Sequence, residues 1–302
     1  MIISKCPLRV SLVGGSTDLQ SFIDWNGRGS VISFPITLYS YLSIGYSYND
    51  LYKVIYSKIE NVKNPNDIVN DIAREVIKYF DLPPVKVMFD ADIPSHSSGL
   101  ASSSSYTVAF VSAVSKLIGI NFSQFDICRV ALEIERKFNP LTGYQDTYGC
   151  GIPSLKRMNF YNSRISISYL DDRAFSDVDM YLINTNIVRK SNNILSTISL
   201  EESKKLLAFV NKMEKNILDI NEICRILNKS WEQKKKTSNL IINNDIIEVE
   251  DRLKNANNIL GMKLCGAGGG GYFLLICKKG LMMEKNVIKI DIDKCGVISC
   301  KI

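Results

Sequence analysis

Hydrophobic residues along the chain follow two spacings, the alternation of β-strands and the three-to-four-residue repeat of helices. In the first half, the alternation predicts strands at residues 2–13, 31–34, 39–46, 85–89, 158–160 and 165–170. The helical repeat predicts helices at residues 67–80, 108–118 and 124–138, the last with Ser123 as its N-cap. Strands and helices are therefore both expected to contribute to the core.

The second half of the chain has a mainly helical pattern. A strand is predicted at residues 180–183, and Ser199 and Glu202 have the spacing of a capping box. Further elements are predicted as helices at residues 206–218, 221–235 and 245–260, and as strands at 272–277, 288–292 and 297–302. The three lysines at residues 234–236 are interpreted as a solvated helix end.

The composition is that of a soluble globular protein. The 302 residues are 46% hydrophobic and 23% charged, and no apolar run approaches the roughly 20 residues that cross a bilayer. We find no export signal, and eight scattered cysteines without a CxxC pair suit a reducing compartment, so we expect a cytoplasmic protein. The polar residues 171–173 predict a boundary between two domains, residues 1–172 and 173–302.

Charge and histidine content exclude several classes of function. His96 is the single histidine, which leaves little material for a histidine metal site or a Ser-His-Asp triad. The net charge of +6 suits an anionic substrate, but the longest basic run has only three residues. We therefore expect neither a nucleic-acid partner nor a membrane partner, and the oligomeric state is left open, with a homodimer as one option.

A serine-rich stretch at residues 93–105 lies between a predicted strand and a predicted helix, and it contains seven serines. A small-residue loop that opens a helix exposes backbone N–H groups without intrahelical partners, where the helix dipole also favours negative charge. Such a place binds phosphate. The alternative is a serine-rich turn that only caps the helix, and this stretch alone leaves both open.

Two glycine-rich loops accompany it. Residues 14–18 end the first strand and allow the backbone to approach a ligand closely. Residues 266–271 contain the G-x-G-x-x-G spacing, but a predicted strand follows where a dinucleotide site requires a helix. Asp146 follows a turn containing Gly143, and taken alone such an aspartate is more often a turn residue.

These three loops, in this order along nearly the whole chain, resemble the GHMP small-molecule kinases, and within them the sugar-1-kinases. The subgroup's first motif is similar to Pro7-Leu8-Arg9 before Gly14 to Asp18, and its Gln-Asp segment to residues 144–148. Residues 185–191 resemble its threonine–arginine–serine stretch. Galactokinases would carry a Glu-His pair at Gly15-Ser16, so the chain departs from them there.

The resemblance implies an α+β, two-domain GHMP kinase fold, with an N-terminal βαβ-type nucleotide-binding domain and a C-terminal ferredoxin-like domain. It implies Asp146 as the base or electrostatic activator, paired with Arg9, and Mg²⁺ held by Ser103 and Glu135. The implied ATP-binding residues are Ser98, Gly99, Leu100, Ala101, Ser102, Ser103, Ser104 and Ser105. The implied substrate-binding residues are Gly14, Gly15, Ser16, Thr17, Asp18, Arg189, Gly268 and Gly269. Ala101 replaces the glycine that is usual in the family's nucleotide loop.

The implied activity is ATP-dependent phosphorylation of the anomeric hydroxyl of a sugar phosphate, with D-glycero-D-manno-heptose 7-phosphate as the expected acceptor. Arg189 and Lys190 are the implied ligands of the acceptor's own phosphate. An anomeric kinase for another sugar, such as L-fucose, is the alternative enzyme, and it would not need that second phosphate site. A catalytically silent nucleotide-binding protein is the alternative from another class.

Overall fold

The computed structural model describes residues 1–94, 98–162, 164–187, 194–256, 258–280 and 287–302. Its strands are β1 Ile2–Val13, β2 Arg28–Tyr46, β3 Tyr52–Ile55, β4 Ile59–Val62, β5 Val85–Ala91, β6 Lys156–Tyr161, β7 Ile165–Tyr169, β8 Val178–Asn184, β9 Ile259–Leu264, β10 Tyr272–Lys278, β11 Val287–Ile290 and β12 Ile298–Lys301. The helices are α1 Gln20–Asn26, α2 Asp71–Tyr79, α3 Ser102–Ile118, α4 Gln124–Phe138, α5 Tyr144–Gly151, α6 Leu200–Lys204, α7 Leu206–Lys215, α8 Ile220–Lys235 and α9 Asn244–Lys254, with 3₁₀ turns at Pro65–Asp67 and Arg173–Asp177. The predicted α+β class is confirmed.

The larger of two sheets has eight strands and is built mostly from the first half of the chain. Its main path is β12-β1-β2-β5-β3-β4, and β6 and β7 extend it beside β2. The pairs are antiparallel except β3 with β5, which are joined by a crossover that includes α2. The edge strand β12 comes from the end of the chain and pairs with β1, so the sheet crosses the predicted boundary at residue 172.

Helices α2 to α5 cover one face of this sheet. The central helix α3 is rich in serine, alanine and valine, and twelve of its seventeen residues are buried. Small and apolar side chains on all sides let a helix pack between a sheet and other helices at once. Ser123 caps α4 as predicted, and Asp126 completes a capping box with it. This packing fixes the N-terminus of α3 at the edge of the main cavity.

The second sheet has four antiparallel strands in the order β11-β8-β10-β9. Its chain order, β8 then helices then β9, β10 and β11, suits the predicted ferredoxin-like arrangement. A shared core joins it to the first sheet, because apolar residues of β1 and β2 pack against β8, β10, α7 and α8; examples are Leu12, Phe34, Leu182, Leu274 and Val210. The two halves therefore meet through a continuous apolar layer.

Strand β1 changes the faces that its side chains occupy. Ile2 and Cys6 belong to the core beneath the helices, whereas Leu8 belongs to the core between the sheets. The register with β2 slips between Pro7 and Arg9, and such irregularities redirect side chains. Arg9 consequently lies on the helical side, against α5, where a Cβ placed on Gly149 would be 3.1 Å from the Arg9 Cγ.

Several predicted elements have different bounds in the structure. The strands predicted at 31–34 and 39–46 are one strand, β2, which runs through both. The helix predicted at 245–260 is wrong beyond Lys254, because residues from Ile259 onward pair with β10. The helix predicted at 206–218 ends at Lys215, and the Ser199 cap begins the separate helix α6. Among the described residues, no helix is both long and apolar enough to cross a bilayer.

A lysine is enclosed at the end of α5 that lies away from Asp146. Lys156 is fully buried, and its Nζ donates to the carbonyl oxygens of Gly149 at 3.1 Å and Ile152 at 2.6 Å. These carbonyls lack helical partners, so the lysine caps the helix. Burial lowers the pKa of Lys156 to about 7.

This pKa predicts a pH-dependent stability. Between pH 7 and 10.5 the folded protein holds fewer protons on Lys156 than the unfolded chain does, so stability rises with pH in that window. From pH 7 to 9 we expect the wild type to gain about 2 kcal/mol relative to Lys156→Met, measured as urea unfolding free energies. The exposed Lys116→Met variant should follow the wild type. Parallel pH curves for wild type and Lys156→Met would contradict the expectation.

Candidate active site

The main cavity lies where four parts of the chain come together. They are the C-terminal end of β1, residues 98–105 (the serine loop), α5 and the C-terminal half of the chain. Most residues that line it are polar or glycine, and they come from both halves of the chain. The lining includes Arg9, Ser11, Gly14, Gly15, Ser16, Asp18, Ser98, Gly99, Ala101, Ser102, Ser103, Ser104, Glu135, Asn139, Thr142, Gln145, Asp146, Ser230, Lys234 and Lys263. Residues far apart in the sequence are thus brought to one site.

The serine loop opens α3 as predicted, but the helix begins earlier than the apolar pattern indicates. The first helical hydrogen bond runs from the Ser105 N–H to the Ala101 carbonyl at 2.9 Å, so the N–H groups of Ser102 to Ser104 have no intrahelical acceptor. No acidic residue occupies this first turn. The helix N-terminus therefore offers partial positive charge and free donors to an anion in the cavity.

Ala101 shows why glycine is usual at its position. Its φ of 61° and ψ of 41° are left-handed, and an L-residue with a Cβ pays roughly 1–2 kcal/mol for that conformation. The turn is held by Ser98, whose hydroxyl contacts the Ser102 hydroxyl at 2.8 Å and accepts from the Leu100 N–H at 3.2 Å. The loop therefore keeps its shape around alanine.

Arg9 and Asp146 form the central ion pair of the cavity. The Arg9 Nε and Nη2 both donate to the Asp146 Oδ1, at 3.2 and 2.7 Å, and Nη1 donates to the Gly99 carbonyl at 2.9 Å. Burial alone would lower the pKa of Arg9, but the charge and hydrogen bonds of Asp146 outweigh it and raise that pKa. Because neither bond uses Oδ2, this oxygen can accept a proton from a ligand hydroxyl.

Asp146 lies in the first turn of α5 rather than in the loop that the sequence suggests. Its neighbour Gln145 donates to Asp18 through both its backbone N–H, at 3.2 Å, and its side-chain Nε2, at 3.0 Å. Gly143 leaves room for this contact, since a Cβ there would overlap the Asp18 Oδ2. Burial, and then the nearby charge of Asp146, raise the pKa of Asp18 to about 6.

Glu135 approaches the same cavity from α4. Its side chain is buried, and Oε2 accepts a hydrogen bond from the Ser104 hydroxyl at 2.6 Å. Burial raises the pKa of Glu135 to about 7, with the charge of Asp146 adding to the effect. Within the described ranges no cluster of three or more histidine, cysteine, aspartate or glutamate side chains could hold a metal alone. A magnesium ion here would need phosphate oxygens and water beside Glu135 and the serine hydroxyls, which is its usual manner of binding.

The terminal glycine loop packs beside the serine loop. The Tyr272 N–H donates to the Ser98 carbonyl at 3.2 Å, which joins the two loops directly. Gly268 has φ of +109°, and a Cβ on it would lie 2.8 Å from the backbone of Ile241; the Gly269 N–H donates to the Ile241 carbonyl at 2.7 Å. Both glycines thus shape the loop against its neighbour.

Not every predicted site residue lines the cavity. The described ones that are not part of its lining are Thr17, Leu100, Ser105, Gly268 and Gly269. The Thr17 hydroxyl donates to the carbonyls of Gly14 and Ser30, and the Ser105 hydroxyl donates to the Cys6 carbonyl at 2.8 Å. Their contacts support the loops. Arg189 and its neighbours 188–193 lie outside the described residues, as does His96.

Two lysines of the cavity were not among the predicted site residues. Lys234 is buried and its Nζ donates to the Ser16 hydroxyl, so its interpretation as part of a solvated helix end is wrong. Lys263, on β9, is also buried, and its Nζ donates to the Leu12 carbonyl at 3.0 Å. Burial lowers the pKa of Lys263 to about 8. The basic run at 234–236 marks Lys234 as a candidate ligand of an anion. Only the orientation of α8 in the structure shows that this lysine faces the cavity.

Several buried polar atoms around the cavity have no hydrogen-bond partner in the described structure. They include Ser11 Oγ, Asn139 Oδ1 and Gln145 Oε1. An unpartnered buried polar atom is unfavourable, so several at one place indicate a site for a hydrogen-bonding ligand. The cavity combines these with donors for an anion and with a carboxylate oxygen that Arg9 leaves open. That combination suits transfer of a phosphoryl group to a hydroxyl.

Comparison with known proteins also indicates a kinase. The model of the GHMP kinases N-terminal domain matches residues 67–152. A D-glycero-alpha-D-manno-heptose 7-phosphate kinase of Campylobacter jejuni is 28% identical, over 90% of this chain and 88% of its own. An L-fucokinase/L-fucose-1-P guanylyltransferase of Bacteroides fragilis is also 28% identical, over 64% of this chain and 22% of its own.

Among solved structures, a D-glycero-D-manno-heptose 1-phosphate kinase from Bacteroides thetaiotaomicron has the same fold. The TM-score is 0.79 at 20% identity, and the match covers 100% of this chain and 99% of that one. The predicted family resemblance and two-domain α+β fold are thus confirmed. Residues 67–152 match the GHMP kinase N-terminal domain, and the protein is an ATP-dependent kinase that resembles the GHMP kinases.

Proposed function

We propose that the protein transfers the γ-phosphoryl group of ATP to the anomeric hydroxyl of a sugar phosphate, with D-glycero-D-manno-heptose 7-phosphate as the acceptor. The observation that carries the proposal is the Arg9–Asp146 pair in the same cavity as the open first turn of α3. The similarity to the Campylobacter jejuni heptose phosphate kinase, over 90% of this chain, supports the choice of acceptor. The free thiols of all eight cysteines support a cytoplasmic location.

The nucleotide would bind through its phosphates at the serine loop. The N–H groups of Ser102 to Ser104 can donate to phosphate oxygens without breaking any helical hydrogen bond. The Arg9 guanidinium, fixed to Gly99 in that loop, lies close enough to offset charge that develops during transfer. Most of the catalysis then comes from positioning and charge stabilisation.

The acceptor hydroxyl would bind at Asp146. Arg9 holds Oδ1, so Oδ2 can orient the hydroxyl and take its proton as the oxygen attacks phosphorus. An anomeric hydroxyl is more acidic than an ordinary alcohol, so a moderate base suffices. Asp18 and Gln145, fixed to each other, would bind the other hydroxyls of the sugar.

Magnesium would be held by Glu135 and Ser103, with Ser104 orienting the carboxylate. The ion supplies charge neutralisation on the phosphate oxygens when it is bound. Glu135 is suited to hold the ion because its buried carboxylate already faces the first turn of α3. Arg189 remains a proposed ligand of the acceptor's phosphate.

An anomeric L-fucose kinase is the second candidate, favoured by the similarity to the Bacteroides fragilis fucokinase. The two candidates differ in whether the acceptor carries a phosphate. If removing the phosphate from the acceptor leaves turnover unchanged, an unphosphorylated sugar is favoured.

The direct test measures ATP consumption with a panel of acceptors and identifies the product by phosphorus NMR. The panel contains the heptose 7-phosphate, mannose 6-phosphate, galactose, L-fucose, mevalonate and homoserine. We expect the heptose phosphate to be turned over best, with a new anomeric phosphate in the product. Better turnover of L-fucose would favour the second candidate, and binding of ATP without any turnover would contradict both.

A further inference from the structure

Lys234 lines the cavity from the last turn of α8. It is only 7% exposed, and its Nζ donates to the hydroxyl of Ser16, in the glycine turn after β1. Ser230 precedes it by one helical turn and also lines the cavity. A buried ammonium and two hydroxyls are thus gathered around one part of the wall.

A continuous series of contacts connects this place to the reacting carboxylate. Asp146 adjoins Gln145, whose Nε2 donates to the Asp18 Oδ1 at 3.0 Å. The same Asp18 oxygen accepts from the Ser16 N–H at 3.2 Å, and the Ser16 hydroxyl reaches Lys234. An acceptor molecule lying along this wall would present one end to Asp146 and the other to Lys234.

We propose that Lys234, with Ser16 and Ser230, binds the anionic group that the acceptor carries at the end away from the reacting hydroxyl, a phosphate monoester. This inference rests on the proposed function and identifies which residues select a phosphorylated sugar. The site is built from the described residues alone, and it places the selecting charge on the C-terminal half of the chain.

The chemistry of these groups suits a phosphate. A lysine ammonium is a compact charge with rotatable N–H donors, and a phosphate monoester offers it an opposite charge that the Ser16 hydroxyl does not. The Ser16 oxygen that accepts from Lys234 retains its own proton for the same anion. The nearest carboxylate on the series of contacts, Asp18, is already bound by Gln145 and the Ser16 N–H.

The test compares a sugar phosphate with the same sugar lacking the phosphate. Kinetics are measured with the heptose 7-phosphate and with the unphosphorylated heptose, for wild type, Lys234→Met and the exposed Lys229→Met on the same helix. Methionine keeps most of the length and packing of the lysine stem. We expect Lys234→Met to raise KM for the phosphorylated sugar about 10- to 100-fold, the size of a charge-assisted contact, and to change KM for the free sugar less than about threefold.

Two results would overturn the inference. One is an equal loss with both sugars, which would mean that Lys234 supports the wall or balances Asp18. The other is a rise in KM for ATP alone, which would place Lys234 at the nucleotide. Lys229→Met should match the wild type in every measurement.

A binding measurement separates this inference from the proposed reaction. With ADP saturating the serine loop, calorimetry compares mannose 6-phosphate with mannose. If phosphorylated sugar binds more tightly to the wild type and this preference is lost in Lys234→Met, the inference stands even where no anomeric product forms. If the preference is absent, or persists in the variant, the inference fails whether or not the kinase reaction is observed.

Discussion

Replacing Asp146 with asparagine is expected to lower kcat by a factor of about 10² to 10⁴, the usual contribution of a positioned acid or base. The variant keeps an oxygen for Arg9 but cannot take the proton of the acceptor hydroxyl. ATP affinity should change less than about threefold, because the proposed phosphate ligands are the free N–H groups of Ser102 to Ser104 and not Asp146. Coupled detection of ADP release gives kcat, and calorimetry with a non-hydrolysable ATP analogue gives the affinity.

The control is Asp50→Asn. Asp50 is exposed and does not line the cavity, so this variant should behave as the wild type. Breaking a buried ion pair can cost about 3–5 kcal/mol, but the Asp146 side chain is 28% exposed, so we expect the variant to remain folded. Circular dichroism checks this. A folded Asp146→Asn protein with a kcat close to that of the wild type would rule out the proposed role.

Replacing Glu135 with glutamine is expected to lower kcat/KM about 100- to 1,000-fold and to raise the magnesium concentration needed for half-maximal rate. A metal ion that neutralises phosphate charge lowers the activation barrier by several kcal/mol, and glutamine supplies no negative charge to hold it. The amide is similar in size to the carboxylate, so the contact with Ser104 can persist. Initial rates over a series of free magnesium concentrations measure the effect.

Glu133→Gln is the matched control, because this residue lies on the exposed side of α4, two positions from Glu135. It should leave the magnesium dependence unchanged. Rates for Glu135→Gln that fall equally at every magnesium concentration would assign Glu135 to the shape of the serine loop instead of to the metal.

The sequence predicts local elements well where one physical cause dominates. Ser123 begins α4 as expected because an N-cap acts within a few residues, and in the structure Asp126 completes a capping box with it. The predicted helix at 245–260 fails beyond Lys254, since the apolar residues from Ile259 onward are equally suited to β9, and pairing with β10 decides between the two. The hydrophobic pattern of a short apolar run does not show whether a distant strand is available to pair with it.

The site residues also fall into those that the sequence could predict and those that it could not. Arg9, Glu135 and Asp146 could be predicted because the resemblance to GHMP kinases covers the motifs that contain them, and the structure brings all three to one cavity. Lys234 and Lys263 could not, since a lysine in a helix or strand is ordinarily solvated and nothing near it in the sequence marks burial. Their place depends on how the C-terminal elements pack against β1.

The pairing of β12 with β1 also affects how the chain reaches its fold. Ile2 lies opposite Lys301, so the sheet that carries Arg9 is completed by residues synthesised at the far end of the chain. Contacts between such distant residues slow folding, because a long loop must close before they form. During synthesis β1 therefore remains an open edge until the second half of the chain is made, and a ribosome that stalls there would leave that edge available to other chains.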